Sequence, residues 1–267
     1  MLNARALIPG HDVLFVSLDS LRFDVAQDAW LAGKTPNLAR VLPSSGWEMR
    51  HSPGTFTFAS HMAFFAGFLP TPIAPRTHPR LFAARFEGSE TTSENTLVFD
   101  TPDIVSGFAA LNYSTICIGG VGFFNKRTPL GNVLPNLFQH SFWSPEMSVT
   151  DADSTENQVA LAIDVLQQAR NQRVFLFLNV SAMHQPNCIF LPAATHDSKA
   201  SQTAALCYVD GCLPQLFHAM QKRAPVLAIL CSDHGTAYGE DGYFGHRLAH
   251  PTVWNVPYVE CILPRIA

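Results

Sequence analysis

Charge is scarce in this chain. Asp, Glu, Lys and Arg supply 14% of its 267 residues and sum to a formal net charge of −4, where an average soluble protein carries about a quarter charged residues. No extended run of Lys or Arg interrupts that balance, which excludes the basic stripe that nucleic-acid binding requires. Long apolar runs are missing as well. None approaches the roughly 20 residues of a membrane span, so no spanning helix is expected. The ten residues from Met1 to Gly10 are too short and too polar for a secretory leader. These absences together predict a cytoplasmic chain. There is no C-x-x-C pair among Cys117, Cys188, Cys207, Cys212, Cys231 and Cys261. That excludes a disulfide framework or a zinc ribbon and leaves reduced, mostly buried thiols. Internal repeats and low-complexity tracts are absent too.

What is present is an alternation. Short apolar, β-rich runs predict strands at 12–18, 113–118, 174–180, 225–231 and 257–263. Between them, helices are expected at 36–42, 58–66, 103–111, 155–170 and 200–221. Near-continuous apolar strands separated by helices imply a doubly wound, mainly parallel α/β sheet sandwiched by helices. A core of this size is expected to form as a single domain over 1–267. Two long irregular stretches, 70–100 with Pro70, Pro72, Pro75 and Pro79, and 119–150 with Gly119-Gly120-Val121-Gly122, are expected to be substrate walls.

Chemistry concentrates at strand ends. The run Val226–Leu230 leads into Cys231-Ser232-Asp233-His234-Gly235, and Val13–Leu18 leads into Asp19-Ser20-Leu21-Arg22-Phe23-Asp24. In open α/β sheets ligands bind outside the carboxyl ends of the strands. Buried carboxylates and imidazoles there need a partner, and a divalent metal suits such an O and N set. A third segment, Ser52 to Pro70, contains Thr57 where a loop enters a helix. Unpaired N–H groups and positive dipole make a helix start a favourable place for an ionising hydroxyl. Thr55 is the fallback for that role.

Asp19 with the Ser20–Asp24 segment, Thr57 four residues before His61 and ten before Gly67-Phe68-Leu69-Pro70, Asp233-His234-Gly235, and His246 in Gly242-Tyr243-Phe244-Gly245-His246 occur in that order along the chain. In this order they resemble the alkaline phosphatase superfamily, which includes sulfatases, nucleotide phosphodiesterases, phosphoethanolamine transferases and lipoteichoic acid synthases. The resemblance implies an alkaline-phosphatase-like core. It implies metal ligation by Asp19, Thr57, Asp233 and His234, with His246 as a further ligand or a substrate contact. It implies a catalytic Thr57 and a His184 that binds a non-bridging oxygen or protonates the leaving group. Mixed carboxylate and imidazole ligands favour Zn or Mn over Ca. One tight site is expected, and a second, looser one would draw on His184 and His246. Arg22 either clamps an anionic substrate oxygen or pairs with Asp24.

The chain also departs from its relatives. Phosphodiesterases hold a second metal through an Asp four residues before the middle His, and Val180 stands there. Sulfatases oxidise a Cys or Ser within C/S-x-P/A-x-R, whereas this chain reads Thr57-Phe58-Ala59-Ser60-His61. The expected activity is therefore metal-dependent hydrolysis or transfer of a small-molecule phosphoester through a phospho-threonine. A sulfatase-like sulfuric ester hydrolase, a phosphomutase-like enzyme and a non-catalytic metal-binding module are the alternatives.

Overall fold

The computed structural model describes residues 2–67, 82–83, 97–98, 103–169 and 172–267. Its main sheet contains strands β1 (Asp12–Leu18), β2 (Glu48–His51), β3 (Tyr113–Ile118), β4 (His140–Phe142), β5 (Arg173–Val180), β6 (Val226–Cys231) and β7 (Asn255–Leu263). They lie in the order β2-β7-β6-β1-β5-β3-β4. The strands β6, β1, β5, β3 and β4 are mutually parallel. The strand β7 runs antiparallel to both β6 and β2. The five expected strands are all present. The last of them reverses direction, so the sheet is mixed rather than wholly parallel.

Strand β5 shows why both faces are covered. Val174, Leu176, Leu178 and Val180 join one core cluster and Phe175 and Phe177 join the other. Alternate side chains leave a strand on opposite faces, so an uninterrupted apolar run demands cover on both. On the first face lie helices α1 (Phe23–Leu31), α4 (Ser154–Gln168) and α5 (Lys199–Arg223). The second face is covered by α2 (Thr57–Ala66) and α3 (Ile104–Ala110), with Phe65 and Val105 packed into the aromatic cluster.

Two expectations change, and a third lies mostly outside the described residues. The helix expected at 36–42 is a three-residue 3₁₀ turn, Leu38–Arg40, held between Pro36 and Pro43. Helix α1 and the short edge strands β2 and β4 are additional. The wall expected at 70–100 lies outside the described residues except at 82–83 and 97–98. Pro214 sits inside α5, where a missing N–H leaves the carbonyl four residues back without its helical partner. That carbonyl belongs to Asp210, and Asn37 Nδ2 donates to it at 3.1 Å. The Asp210 carboxylate in turn accepts from the N–H groups of Asn37 and Leu38, at 3.2 and 2.7 Å. One proline thereby fixes the 3₁₀ turn against the long helix.

Gly235 sets how closely the loop after β6 approaches the segment before β7. Its N–H donates to Val253 O at 2.6 Å, and an added Cβ would lie 2.0 Å from the Thr252 carbonyl oxygen. That neighbour is backbone and cannot rotate away. Gly235→Ala is expected to destabilise the fold by about 2 kcal/mol, in the range of overpacking. Urea unfolding measures this, and an unchanged midpoint would show that the approach is looser than described.

Candidate active site

The parallel pairing of β1 with β6 and β5 brings three strand ends together. Ser17 is in register with Cys231 on one side and Asn179 on the other. Asp19 and the Asp233-His234 pair therefore emerge side by side, and both carboxylates and the imidazole are 0% exposed. Their ligand atoms lie within 4.8 Å of one another. His234 Nε2 is 3.5 Å from Asp233 Oδ2 and 3.9 Å from Asp19 Oδ1. Among the described residues, this is the group of His, Cys, Asp and Glu that converges in this way.

Each member is held from behind. His234 Nδ1–H donates to the Gly235 carbonyl at 2.8 Å, which leaves Nε2 as a lone-pair donor facing the carboxylates. Asp233 Oδ1 accepts from the N–H groups of Ser20 (3.2 Å) and His234 (3.0 Å). Asp19 Oδ1 accepts from the Ser20 hydroxyl at 3.0 Å, and Asp19 Oδ2 from the Asn179 amide at 3.0 Å. Ser20 holds these positions at φ 64°, a conformation that a non-glycine residue adopts at a cost of order 1 kcal/mol or more. Ser52 and Ser60 hydroxyls both donate to the Asp233 carbonyl. Asp233 Oδ2 is buried and accepts no hydrogen bond among the described residues.

The hydroxyl comes from α2. Phe56 is its extended N-cap and Thr57 its first residue. Thr57 Oγ1 lies 3.4 Å from Asp19 Oδ2 and 3.4 Å from His234 Nε2. Thr55, the fallback, turns its carbonyl to the Arg247 N–H. Two carboxylates, an imidazole nitrogen and a hydroxyl around one unpaired oxygen fit a divalent cation of the Zn or Mn type.

The charges of the two carboxylates diverge. Burial pushes Asp19 up, but His184, His234 and the Asn179 amide together outweigh it and hold the carboxyl below its ordinary range. Burial and then the neighbouring Asp19 charge push Asp233 well above its range. Burial lowers His234, and it lowers His61 and His246 to about 4. The His61 imidazole sits one helical turn beyond Thr57. Its Nδ1–H donates to the Thr57 carbonyl at 2.7 Å and its Nε2 faces Ser17 Oγ at 3.0 Å. Phe64, Phe124 and Phe177 present their rings to it edge-on.

Above the cluster opens a cavity of about 300 Å³. Thr57, His184 and His246 line it, and so do Val121, Phe123 and Val149 from the 119–150 stretch. The His246 ring is 4.5 Å from that of His234 and 5.6 Å from that of His184. His246 is not among the converging ligand atoms and lines the cavity beside them. Arg22 takes the second of its two expected roles and pairs with Asp24. Its guanidinium is buried, donates to both oxygens of Asp24 at 2.8 Å each, and reaches Glu240 at 2.5 Å and the Thr236 carbonyl at 3.2 Å. It ties the loop after β6 to the start of α1. Sequence reasoning missed Ser20 and Asn179 as carboxylate partners, and Arg247 on the cavity wall. A positive φ cannot be read from a serine, and the sheet register that brings Asn179 to Asp19 is a tertiary fact.

A mostly parallel sheet carrying this cluster at its carboxyl ends, with helices on both faces, defines an alkaline-phosphatase-like α/β protein. The family model described as Sulfatase matches residues 11–259, and the chain belongs to that family. No curated protein sequence matches it. Solved structures share the fold. The soluble domain of lipooligosaccharide phosphoethanolamine transferase A from Neisseria meningitidis is 16% identical, with a TM-score of 0.65 over 94% of this chain and 75% of that one. The C-terminal periplasmic domain of phosphoethanolamine transferase EptC from Campylobacter jejuni is 15% identical, with a TM-score of 0.62 over 95% and 79%. The zinc complex of the C-terminal periplasmic domain of EcEptC from Escherichia coli is 12% identical, with a TM-score of 0.59 over 94% and 72%. The family match places the chain among sulfatase-family proteins, and the solved structures share its fold. The cytoplasmic placement expected from the sequence is overturned, because two of the similar structures are C-terminal periplasmic domains. No helix among the described residues is long and apolar enough to cross a membrane, and that fact does not decide the compartment.

His61 yields a pH dependence. Its folded pKa near 4 lies below the ordinary 6.5, so between those values the unfolded chain binds the extra proton. The stability contributed by the neutral imidazole is present above pH 6.5 and is lost as pH falls toward 4. Between pH 6.5 and 4.5 the metal-free wild type is expected to lose about 2 kcal/mol more than His61→Gln. Urea unfolding in EDTA at both pH values measures the difference, and parallel losses in the two proteins would contradict it.

Proposed function

We propose that this chain hydrolyses or transfers a phosphoester, with Thr57 as the nucleophile and one divalent cation at Asp19, Asp233, His234 and Thr57. The observation that carries the reading is the position of the Thr57 hydroxyl, on the first residue of a helix, 3.4 Å from both Asp19 and His234, and on the wall of the cavity. A cation held there would lower the pKa of that hydroxyl and offset charge on the group being transferred. The zinc complex of a structure with this fold supports zinc as the occupant.

The protein's own groups supply the rest. The N–H groups at the start of α2 would bind phosphoryl oxygens of the transferred group. Thr57 Oγ1 attacks phosphorus in line, an O–P bond forms, and the bond to the leaving oxygen breaks. His184 donates Nδ1–H to the Gln185 carbonyl at 2.6 Å, so Nε2 is its free ring nitrogen at the cavity. That nitrogen is placed to carry a proton to the leaving oxygen. His246, held neutral by burial, offers a hydrogen bond to a non-bridging oxygen. Water or an acceptor alcohol then displaces Thr57 from phosphorus. Val121 and Phe123 shield the site from bulk water.

Phosphoryl rather than sulfuryl transfer is favoured by the residue itself. A threonine cannot be oxidised to the aldehyde on which the sulfatase route depends, and two of the similar structures are named as phosphoethanolamine transferases. A single cation site is favoured by Val180, which is buried and apolar where a second-site carboxylate would stand.

The test is hydrolysis of bis-p-nitrophenyl phosphate by the zinc-loaded protein and by Thr57→Ala. Removing a covalent nucleophile is expected to lower kcat by roughly 10³-fold or more while zinc still binds. Turnover surviving the substitution would transfer the attack to Thr55 or to water.

A further inference from the structure

Immediately after His246 an arginine adopts a backbone conformation that suits glycine. Arg247 has φ 69°, in the left-handed region that bulky residues avoid. It is pinned there on two sides. Its N–H donates to the Thr55 carbonyl at 2.8 Å, and its guanidinium carbon stands 5.5 Å from the centroid of the Phe56 ring. Thr55 and Phe56 lead into Thr57, so the arginine is fixed to the backbone that presents the hydroxyl. Its side chain lines the same cavity as Thr57, His184 and His246.

The two arginines of this region are partnered differently. Arg22 is saturated by Asp24 and Glu240. Arg247 has no carboxylate partner among the described residues and remains exposed at the cavity. Stacking on an aromatic ring orients a guanidinium while leaving its N–H edge free to bind an anion. Between this cation and the far wall lie the apolar side chains Val121, Phe123, Leu130 and Val149. Strained backbone maintained at a binding cavity signals a role that glycine would not fill.

We propose that Arg247 is a specificity residue forming an anion subsite. The substrate would be a phosphoester whose organic arm passes along the apolar wall and ends in a second anionic group, a carboxylate or phosphate, held by the guanidinium fork. This rests on the phosphoester reading above and narrows it to substrates charged at both ends. It disfavours a neutral or cationic arm.

The experiment compares two non-hydrolysable probes on the zinc-loaded protein by calorimetry: 4-carboxybutylphosphonate and pentylphosphonate, whose arms are joined to phosphorus through carbon and carry no ester bond to break. The carboxylate probe is expected to bind roughly tenfold tighter to the wild type, the scale of one charge-assisted pair. In Arg247→Gln the ratio is expected to fall to about one, and Arg247→Lys to keep part of it. Arg247→Gly, which relieves the positive φ, is expected to match or exceed the wild type in thermal midpoint while losing the ratio. That outcome separates recognition from folding. Equal binding of the two probes by the wild type, no saturable binding of either, or a ratio unchanged in Arg247→Gln would overturn the subsite. Because no turnover is read, failure of Thr57-dependent hydrolysis with the ratio intact would strike the reaction and leave the subsite standing.

Discussion

Repulsion between two carboxylates in a dry place governs the top of this sheet. Asp19 and Asp233 are both fully buried, and an imidazole stands between them with its lone pair turned inward. Like charges at such range in low dielectric cannot both persist without a compensating cation. The hydrogen bonds around them are arranged to keep them in place rather than to neutralise them. Ser20 and the His234 N–H hold Asp233 Oδ1, while Oδ2 is left unpaired. That unsatisfied buried oxygen calls for an explanation and marks the point where a cation would be held.

Much of the surrounding architecture follows from holding that point. The parallel register of β1 with β5 and β6 sets the spacing between the strand ends. Gly235 permits the close approach that carries His234 inward. The buried Arg22 fastens the loop beyond Thr236 to α1. On the other face of the sheet, His61 joins the Thr57 carbonyl to Ser17 and is caged by aromatic rings. The nucleophile candidate is thus braced by the core, and the cavity above it is where specificity can vary.

The sequence was most legible where burial forces a pattern. Apolar runs such as Val174–Leu178 read as strands covered on both faces, and strand-end carboxylates such as Asp19 and Asp233 announce a site. Legibility failed where tertiary contacts decide. The Glu48–His51 strand is polar and only gains its identity by pairing with β7. The turn at Leu38–Arg40 depends on a carbonyl freed by Pro214, far along the chain. Direction was equally hidden, since nothing in Asn255–Leu263 distinguishes an antiparallel strand from a parallel one. At the site, Asn179 and Ser20 acquire roles only through register and a left-handed turn. Arg22 carries two plausible roles in sequence, and only the positions of Asp24 and Glu240 choose between them. Location was misjudged because a polar start and the lack of a spanning helix do not report a compartment.

The central claim is that Thr57 carries the phosphoryl group between donor and acceptor. Acid-quenching the zinc-loaded protein during turnover of bis-p-nitrophenyl phosphate, followed by peptide mass spectrometry, tests it most directly. The account predicts a p-nitrophenylphosphoryl adduct, one p-nitrophenolate having left, on the peptide containing Thr57, borne by that residue and absent without substrate. Steady turnover with no adduct on Thr57, or with the adduct on another residue, would contradict it.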